Sequence, residues 1–323
     1  MSQIVSLFQA AVYFGTVILF GAVGEILAEK SGNLNLGVPG IMYMGGIAGL
    51  IAAFLYENGT ANPVPAVAIL VTLAAAFVMS MIGGLIYSVL TITLRANQNV
   101  TGLTLTIFGT GIANLFGSNY TTSGALGEGV MSVFKAVSIP GLSNLPYVGK
   151  LLFSYNSFVY FGVALCIVLG IYINHTSQGR SLRAVGENPA AADAMGVNVT
   201  LYKYVHILLG GGICALGGAY VIIVTCNGLW TYNCINGLGW IAVALVIFAG
   251  WSPYRVIIGS LVFGALSVLR LYTPASVANI PQAIFMMLPF IATAVVLVVT
   301  SIHPSHKHQQ PKSCGVNYYR EDR

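Results

Sequence analysis

Apolar stretches separated by short polar connections run along almost the whole chain. Nine hydrophobic segments stand out, and several exceed the ~18 apolar residues that mark a membrane-spanning helix. They lie at Ile4–Gly24, Ile41–Tyr56, Val64–Thr93, Thr101–Ser118, Ser157–Asn174, Tyr202–Val224, Gly237–Trp251, Val256–Leu271 and Pro281–Ser301. Since lipid offers no partner to an unpaired backbone group, these segments must be helical. The pattern predicts an all-α integral membrane protein with about nine transmembrane segments, in a range of about seven to ten.

Two of these segments, Ile41–Tyr56 and Gly237–Trp251, are short enough to be re-entrant or broken helices. Each follows a polar, glycine-rich stretch, "SGNLNLGVPG" in the first case and "CNGLWTYNCINGLG" in the second. Interrupted spans at corresponding places in two halves of a chain point to a transport site. The halves would be Gly24–Ser118 and Gly179–Thr273, and the count falls to about seven spans if both short segments are re-entrant.

Composition excludes a soluble protein. The chain has 323 residues, of which 57% are hydrophobic and 7% are charged, and its mean hydropathy is +0.84. Soluble domains carry about 25% charged residues. The net charge of +5 is assigned to membrane topology and not to nucleic-acid binding, because basic residues of membrane proteins set their orientation.

The basic residues predict which end of the bundle faces the cytoplasm. With the Asn174–Lys203 loop inside, ten of the 13 Lys and Arg residues lie inside and three outside. Those inside are Lys30, Arg95, Arg180, Arg183, Lys203, Arg255, Lys307, Lys312, Arg320 and Arg323, and those outside are Lys135, Lys150 and Arg270. Residues 1–302 then form the transmembrane domain, residues 119–156 an extracytoplasmic loop, and residues 303–323 a cytoplasmic, disordered tail.

One polar stretch, Gly186–Gly196, "GENPAAADAMG", has every signal of a short helix. Asn188 is a good N-cap, Pro189 suits the first helical position, and Gly196 suits the residue after the helix. Asp193 is expected near the positive N-terminal end. A capped helix that merely joins two spans is one interpretation, and a rigid cytoplasmic docking helix for a soluble partner is the other.

Four blocks of sequence resemble ABC importer permeases of the branch that serves simple sugars, branched amino acids and nucleosides. They are "GEILAEKSGNLNLGVPGIMYMGG", "NQNVTGLTLTIFGTGI", "LRAVGENPAAADAMGVNV" with "YKYVHILLGGGICALGGAYV", and "LGWIAVALVIFAGWSP". They cover most of Gly24–Pro253 in order, and the first and third are similar to nucleoside-type permeases. The chain departs from the branch at Lys30, at Asn33 and at Pro39, where an acidic residue is common. These departures leave the cargo open among nucleosides, riboflavin and simple sugars.

The resemblance implies a role for the polar helix and a set of partners. Gly186–Gly196 would dock into ABC ATPase subunits, with Gly186, Glu187, Asn188, Pro189, Asp193 and Gly196 as coupling residues. A second permease, expected to be a different chain, would complete the translocation path, and an extracytoplasmic binding protein would deliver the substrate. ATP and Mg would be bound by the ATPase and no cofactor by this chain, in the cytoplasmic (inner) membrane of a bacterium.

Polar and aromatic residues near the spans are candidates for lining the substrate path, because such groups are costly in a membrane and provide partners for a polar ligand. They are Asn33, Asn35, Asn97, Gln98, Asn114 and Trp230. Helix capping, hydrogen bonds between helices and an interfacial aromatic belt are the structural alternatives. Glu25 and Glu29 are expected at the solvated cytoplasmic edge.

Other functions are less well supported by the residues. The chain has no G-x-x-x-x-G-K-[ST] motif with which to hold ATP itself. An ion-coupled secondary transporter would need an essential carboxylate within the spans, where Glu25 is the nearest candidate, and no nucleophile–base pair suggests a membrane enzyme. His303, His306, His308 and Cys314 lack a second ligand cluster, so no metal site is assigned. Cys226 and Cys234 share a loop and are expected to be free thiols, although a disulfide is possible.

Overall fold

A computed structural model describes residues 2–121, 126, 131, 149, 151, 153–235, 237–273, 280–302 and 309–320. These residues contain no β-strand. The helices bounded within them are α1 (Ser2–Glu29), α2 (Val38–Gly59), α3 (Pro65–Ser88), α4 (Gln98–Gly117), α5 (Ser157–His175), α6 (Ser177–Glu187), α7 (Pro189–Ala194), α8 (Val199–Tyr220), α9 (Leu238–Phe248), α10 (Pro253–Val268) and α11 (Gln282–Ile302). Short π-helical turns extend α3 to Thr93 and α8 to Thr225.

Eight helices in the described part of the chain are long and apolar enough to cross a membrane. The ninth apolar helix, α9, has 11 residues, which corresponds to about 16 Å at 1.5 Å per residue. The predicted all-α membrane fold and its range of spans are confirmed. Most of the loop predicted at 119–156 lies outside the described residues.

The two segments that were expected to be short behave differently. Helix α9 is short, as predicted. The prediction for Ile41–Tyr56 is wrong, because α2 has 22 residues and is long enough to span. Helix α2 begins earlier than the hydrophobic pattern suggests, since Pro39 occupies its first turn, where a missing N–H costs nothing.

Backbones approach closely at the centre of the bundle, where α1 packs against α8. A Cβ placed on Gly210 would lie 2.5 Å from the carbonyl oxygen of Gly24, so only glycine fits there. Such small residues allow helices to come together in lipid. The core around this contact is apolar and includes Phe20, Ile26 and Met42, which are fully buried.

The N-terminal ends of α2 and α9 meet inside the bundle. A Cβ on Gly239 would lie 2.6 Å from Cα of Pro39, and one on Gly21 would lie 2.7 Å from Cβ of Ala242. Gly21 precedes the end of α1 at Glu29 by eight residues, or about 12 Å. Both helices therefore start well within the depth of the bundle, which fits the predicted break before each of them.

The basic residues are distributed as the topology predicts. Lys30, Arg180 and Arg183 line one cavity, and three further cations, Arg95, Lys203 and Arg320, line another around α7. At the opposite end, Arg270 bonds to Gln282, and neighbouring Tyr272 donates to a carbonyl at the start of α1. Lys135, Lys150, Lys307 and Arg323 lie outside the described residues.

The C-terminal segment is packed against the end of the bundle that the basic residues predict to be cytoplasmic. Residues 309–320, called here the C-terminal strap, bond to α4, to α6 and to α7. The expectation of a disordered tail is wrong for these residues, because hydrogen bonds and an ion pair fix them where hydropathy alone predicted a solvated end. The rest of the predicted tail, 303–308 and 321–323, lies outside the described residues.

Candidate functional site

The polar helix forms where its caps predicted it. Asn188 Oδ1 accepts a 3.0 Å hydrogen bond from the Ala191 N–H, and Pro189 starts α7. Gly196, with φ of +84°, follows the C-terminal turn in the left-handed region that glycine tolerates. Helix α7 follows α6 directly, so the chain makes an α6–α7 hairpin between two spans.

Helix α7 has one buried face and one open face. Ala192 is buried against Val185 and Val199, which anchors α7 to α6 and to the start of α8. Met195 is 85% exposed. Sequence reasoning missed Met195, although it is the only large apolar side chain of the stretch and sits directly before Gly196. An exposed, flexible apolar side chain beside a rigid helix is suited to filling a groove on a partner.

Gly186 and Glu187 sit at the base of this helix in different environments. Gly186 is buried, and a Cβ there would clash with the carbonyl oxygen of Lys30. The Gly186 carbonyl accepts hydrogen bonds from the backbone N–H of Ser313, at 2.9 Å, and from its hydroxyl, at 2.5 Å. Glu187 is exposed. The base of the hairpin is therefore locked to the end of α1 and to the C-terminal strap.

Asp193 has a different role from the one expected. It lies in the last turn of α7 and not near the positive N-terminal end, so the predicted dipole interaction is wrong. Its carboxylate accepts a 2.9 Å hydrogen bond from the Tyr318 hydroxyl and lies 3.2 Å from Arg320 Nε. Asp193 thus joins α7 to the C-terminal strap.

The strap also bonds to the start of α4. The Asn317 side chain donates to the carbonyl of Arg95 at 2.6 Å, and Gln98 Nε2 donates to Asn317 Oδ1 at 3.2 Å. The guanidinium of Arg95 lies 4.5 Å from the ring centre of Tyr319, a cation–π contact. The strap therefore connects α4 with α7, two elements that are far apart in sequence.

Four of the six predicted path residues lie near this end of the bundle, which is predicted to be cytoplasmic, and mostly hold local structure. Asn35 Oδ1 accepts from the Gly37 N–H at 2.9 Å, and Asn97 Oδ1 accepts from the Val100 N–H at 3.1 Å. Gln98 Oε1 accepts from the Leu34 N–H at 2.8 Å. Asn33 donates to Ser31, but its buried Oδ1 has no partner in the described part of the chain. A substrate-path role for these residues stays a prediction.

Glu25 and Glu29 do not lie at a solvated edge as expected. Their exposed fractions are 1% and 2%. Glu25 accepts a 3.1 Å hydrogen bond from the Asn35 N–H, and Glu29 accepts one from Trp251 Nε1. The turns before α2 and after α9 enclose the end of α1, which is why these carboxylates are buried.

The other two path residues, Asn114 and Trp230, belong to the outer end. Gln98 and Asn114 are separated by 16 residues of α4, or about 24 Å, so the structure divides the candidates into two groups. The Trp230 indole lies against Gly117, and its ring centre is 6.2 Å from that of Tyr43. Trp230 is 2% exposed, so it is not part of an aromatic belt.

Two polar atoms in this outer group have no partner. Trp230 Nε1 and Asn114 Oδ1 are buried and make no hydrogen bond to the described residues. Asn114 precedes Gly117 by three residues and so projects from nearly the same side of α4. A donor and an acceptor thus remain available beside an aromatic ring, which is the chemistry that a planar polar ligand needs.

The cysteines and histidines form no metal site in the part of the chain that the structure describes. His303, His306 and His308 lie outside it. Cys226 and Cys234 are free thiols, and a hydrogen bond between them lowers the pKa of Cys226 to about 7. Burial raises the pKa of Cys314 in the strap.

Comparisons with known proteins agree along nearly the whole chain. The family model described as the permease component of the branched-chain amino acid transport system matches residues 6–298. A Haloferax volcanii protein named "Putative glucose ABC transporter permease protein TsgC13" is 33% identical, covering 88% of this chain and 82% of its own length. The guanosine ABC transporter permease protein NupQ of Bacillus subtilis is 29% identical, covering 99% of each chain. The nucleoside ABC transporter permease protein NupC of Lactococcus lactis is 29% identical, covering 95% of this chain and 94% of its own.

Proposed function

Because this chain belongs to the family of permease components of the branched-chain amino acid transport system, we propose that it is the transmembrane permease subunit of an ATP-driven ABC importer for nucleosides. The observation that carries the proposal is the α6–α7 hairpin. It presents the capped helix α7 and the 85% exposed Met195 between two spans, at the end of the bundle that we propose faces the cytoplasm.

The hairpin has the properties that a mechanical contact requires. Its Met195 side chain is exposed, while its base is fixed through Gly186 to the end of α1 and to the C-terminal strap, and Asp193 joins α7 to the same strap. A force applied to Met195 would therefore reach the spans instead of bending a loose loop. In this proposal α7 docks into a groove of the ATPase, which accounts for a polar helix between two membrane spans. The coupling residues are Gly186, Glu187, Asn188, Pro189, Asp193 and Gly196.

Two considerations support a nucleoside as the cargo. The relatives named for guanosine and nucleoside transport match this chain over 99% and 95% of its length. The partnerless indole N–H of Trp230 and amide oxygen of Asn114 offer a donor and an acceptor next to aromatic surface. A nucleobase presents a ring face together with both kinds of hydrogen-bonding group.

The remaining parts of the transporter are proposed on other chains. ATPase subunits would bind ATP and Mg, a second permease of different sequence would share the translocation path, and a binding protein would deliver the nucleoside from outside. This chain would bind no cofactor and would reside in the bacterial cytoplasmic membrane. ATP-driven closure of the ATPases would move α7 and switch the path between outward-open and inward-open states.

A simple sugar is the second candidate cargo, because the Haloferax volcanii relative is named for glucose. Uptake of labelled guanosine, glucose and riboflavin into cells with and without the chain separates the candidates. We expect cells without the chain to lose guanosine uptake and to keep uptake of glucose and riboflavin. Loss of glucose or riboflavin uptake instead would be consistent with a permease role but would reject a nucleoside as the cargo.

Ion-coupled transport is the competing mechanism, and its candidate carboxylates are Glu25 and Glu29. Both are held by hydrogen bonds from Asn35 and Trp251, which favours a structural role for them. Uptake by purified protein in liposomes without ATP, driven by an ion gradient, would overturn the ABC proposal.

A further inference from the structure

A cavity of about 860 Å³ lies at the cytoplasmic end, between α6 and the corner that joins α9 to α10. We call it the basic cavity. Its volume is in the range of sites that hold small organic ligands. Six residues that line it matter for its chemistry, and they are Lys30, Arg180, Arg183, Glu187, Trp251 and Tyr254.

The charges of this cavity do not balance. Three cations line it, and Glu187 is the one carboxylate among the described lining residues. None of the three cations makes a side-chain hydrogen bond or an ion pair with a residue that the structure describes. The one ion pair among the described residues joins Arg320 to Asp193. Arg180 and Arg183 are exposed and Lys30 is partly buried, so the cavity concentrates positive charge at a solvent-accessible site, which attracts anions.

Lys30 shows the imbalance most clearly. It follows the last residue of α1 and is partly buried. Burial is the main cause that lowers the pKa of Lys30, and the nearby Arg183 lowers it further, while Glu187 and Glu29 act in the opposite direction. The two carboxylates therefore do not offset the cost of burying this ammonium group, and a bound anion would do so.

The opposite wall of the cavity is rigid and aromatic. Gly250 and Trp251 have φ of 59° and 54°, an uncommon conformation for tryptophan that is held in place by the hydrogen bond from its indole to Glu29. Tyr254 lies against Gly170 of α5, where a Cβ would collide with its ring. The cavity thus sets two aromatic side chains opposite three cations.

The start of α10 adds a favourable dipole to this wall. Helix α10 has 16 residues, begins at Pro253 beside the cavity, and has no side chain capping its N-terminus. The N-terminal end of a helix favours negative charge, although this end alone would not define a site. Here it supplements the arginines and lysine on the facing wall.

We propose that the basic cavity binds a phosphate group, carried either by a nucleotide or by the headgroup of an anionic phospholipid. Arginine forks and a lysine ammonium are the side chains best suited to phosphate oxygens. The aromatic wall and the volume leave room for the remainder of the molecule. The inference concerns the cytoplasmic end and does not depend on which cargo the permease carries.

An occupant of this cavity would connect α6 to α10. Helix α6 leads directly into α7, so a bound phosphate would stiffen the base of the hairpin proposed to dock the ATPase. The site would then set how strongly motion of α7 is coupled to α5 and α10. Uptake at fixed ATP should consequently change when the occupant is added or removed on the cytoplasmic side.

The test uses the full chain in nanodiscs of phosphatidylcholine, titrated by calorimetry with AMP. Adenosine serves as the probe that lacks phosphate, so binding at a cargo site is recognised separately. In the second arm, the chain is purified from membranes that contain phosphatidylglycerol, and lipid that stays bound is detected by native mass spectrometry. Lys30→Gln and Arg183→Gln remove cavity cations, while Lys312→Gln removes an exposed cation of the strap.

We expect AMP binding, or retention of phosphatidylglycerol, to weaken about tenfold in Lys30→Gln and Arg183→Gln, as for loss of one charge-assisted hydrogen bond. Lys312→Gln should behave like the unmodified chain. The arm that responds identifies the source of the phosphate. Unfolding temperatures of all variants confirm folding, and Arg180→Gln, which like Arg183→Gln changes an exposed side chain, is a further cavity variant.

Two results would overturn the proposal. One is that neither AMP nor phosphatidylglycerol binds, and the other is that binding is equally strong in the cavity variants and in Lys312→Gln. Either result would leave the importer proposal intact, since that proposal rests on uptake and on α7. Conversely, AMP binding without any nucleoside uptake would support the phosphate site in the basic cavity and reject the proposal that the cargo is a nucleoside.

Discussion

The Tyr318 hydroxyl donates a 2.9 Å hydrogen bond to the carboxylate of Asp193, a residue 125 positions earlier in the chain. The bond attaches the C-terminal strap to α7, and the ion pair between Asp193 and Arg320 reinforces it. Because Ser313 holds the base of the same hairpin through Gly186 of α6, the strap fixes the α6–α7 hairpin at two places. The orientation of the proposed docking helix therefore depends on the last residues of the chain.

Removing the Tyr318 hydroxyl should loosen the strap. Tyr318→Phe loses one hydrogen bond to a carboxylate, worth about 1 to 2 kcal/mol, and keeps the aromatic ring. We expect faster hydrogen exchange of the Ser313 N–H, which bonds to Gly186, together with reduced uptake. Tyr319→Phe is the matched control, since its recorded contact with Arg95 uses the ring. Equal exchange in both variants would show that the Asp193 bond does not hold the strap.

Adding a methyl group at Gly186 should destabilise the hairpin. In Gly186→Ala the new Cβ would collide with the Lys30 carbonyl, and such overpacking costs about 1 to 3 kcal/mol. Gly111→Ala is the control, because apart from neighbouring backbone of its own helix no atom lies within 4 Å of a Cβ there, and alanine favours a helix interior by up to about 1 kcal/mol. Thermal unfolding in detergent should give a lower midpoint for the first variant only. A lower midpoint for both would argue against specific packing at Gly186.

Replacing Trp230 should weaken recognition of the cargo. Trp230→Phe keeps an aromatic ring but removes the partnerless Nε1–H, so the KM for nucleoside uptake should rise by about tenfold while α7 still couples. Trp240→Phe, in the partly exposed part of α9, serves as the comparison. Unchanged KM in Trp230→Phe would remove Trp230 from the substrate path.

The Cys226 thiol should ionise at unusually low pH. Its hydrogen bond with Cys234 lowers the pKa of Cys226 to about 7, so the thiolate forms as pH rises through that value. A charged maleimide added to intact cells should label Cys226 half-maximally near this pH, because the charge distribution predicts that the loop faces outside. In Cys234→Ala the midpoint should rise toward the ordinary value of about 8.5. The same midpoint in both forms would contradict the thiol pairing, and absence of labelling would contradict the topology.

Local signals in the sequence were sufficient for some elements. Asn188, Pro189 and Gly196 specify the start and end of α7 within two turns, and the structure reproduces them because caps act on neighbouring residues. The all-α membrane class followed from apolar segments for the same reason: each span satisfies its own backbone. The start of α2 was missed because Pro39 resembles a helix breaker in an apolar pattern, although it fits a first turn.

Contacts between distant parts of the chain were not predictable from those signals. The strap looked like a solvated tail, because its attachment to Asp193 and Gly186 involves residues more than 120 positions away. Glu25 and Glu29 were placed at a solvated edge, since no pattern indicates that Asn35 and Trp251 close over them. The division of the path candidates between inner and outer groups also required the bundle, in which α4 separates Gln98 from Asn114.

The most direct test of the account is whether α7 couples this chain to an ATPase. In Ala192→Pro, proline removes the Ala192 N–H bond to the Asn188 carbonyl and costs about 3 kcal/mol in the helix, whereas Ala191→Ser changes an exposed position of the same helix. The tagged chain is isolated in mild detergent, and co-purifying proteins are identified by mass spectrometry. We predict that a P-loop ATPase accompanies the unmodified chain and Ala191→Ser, and that Ala192→Pro reaches the membrane without it. An ATPase that remains bound to Ala192→Pro, with normal uptake, would contradict the central claim.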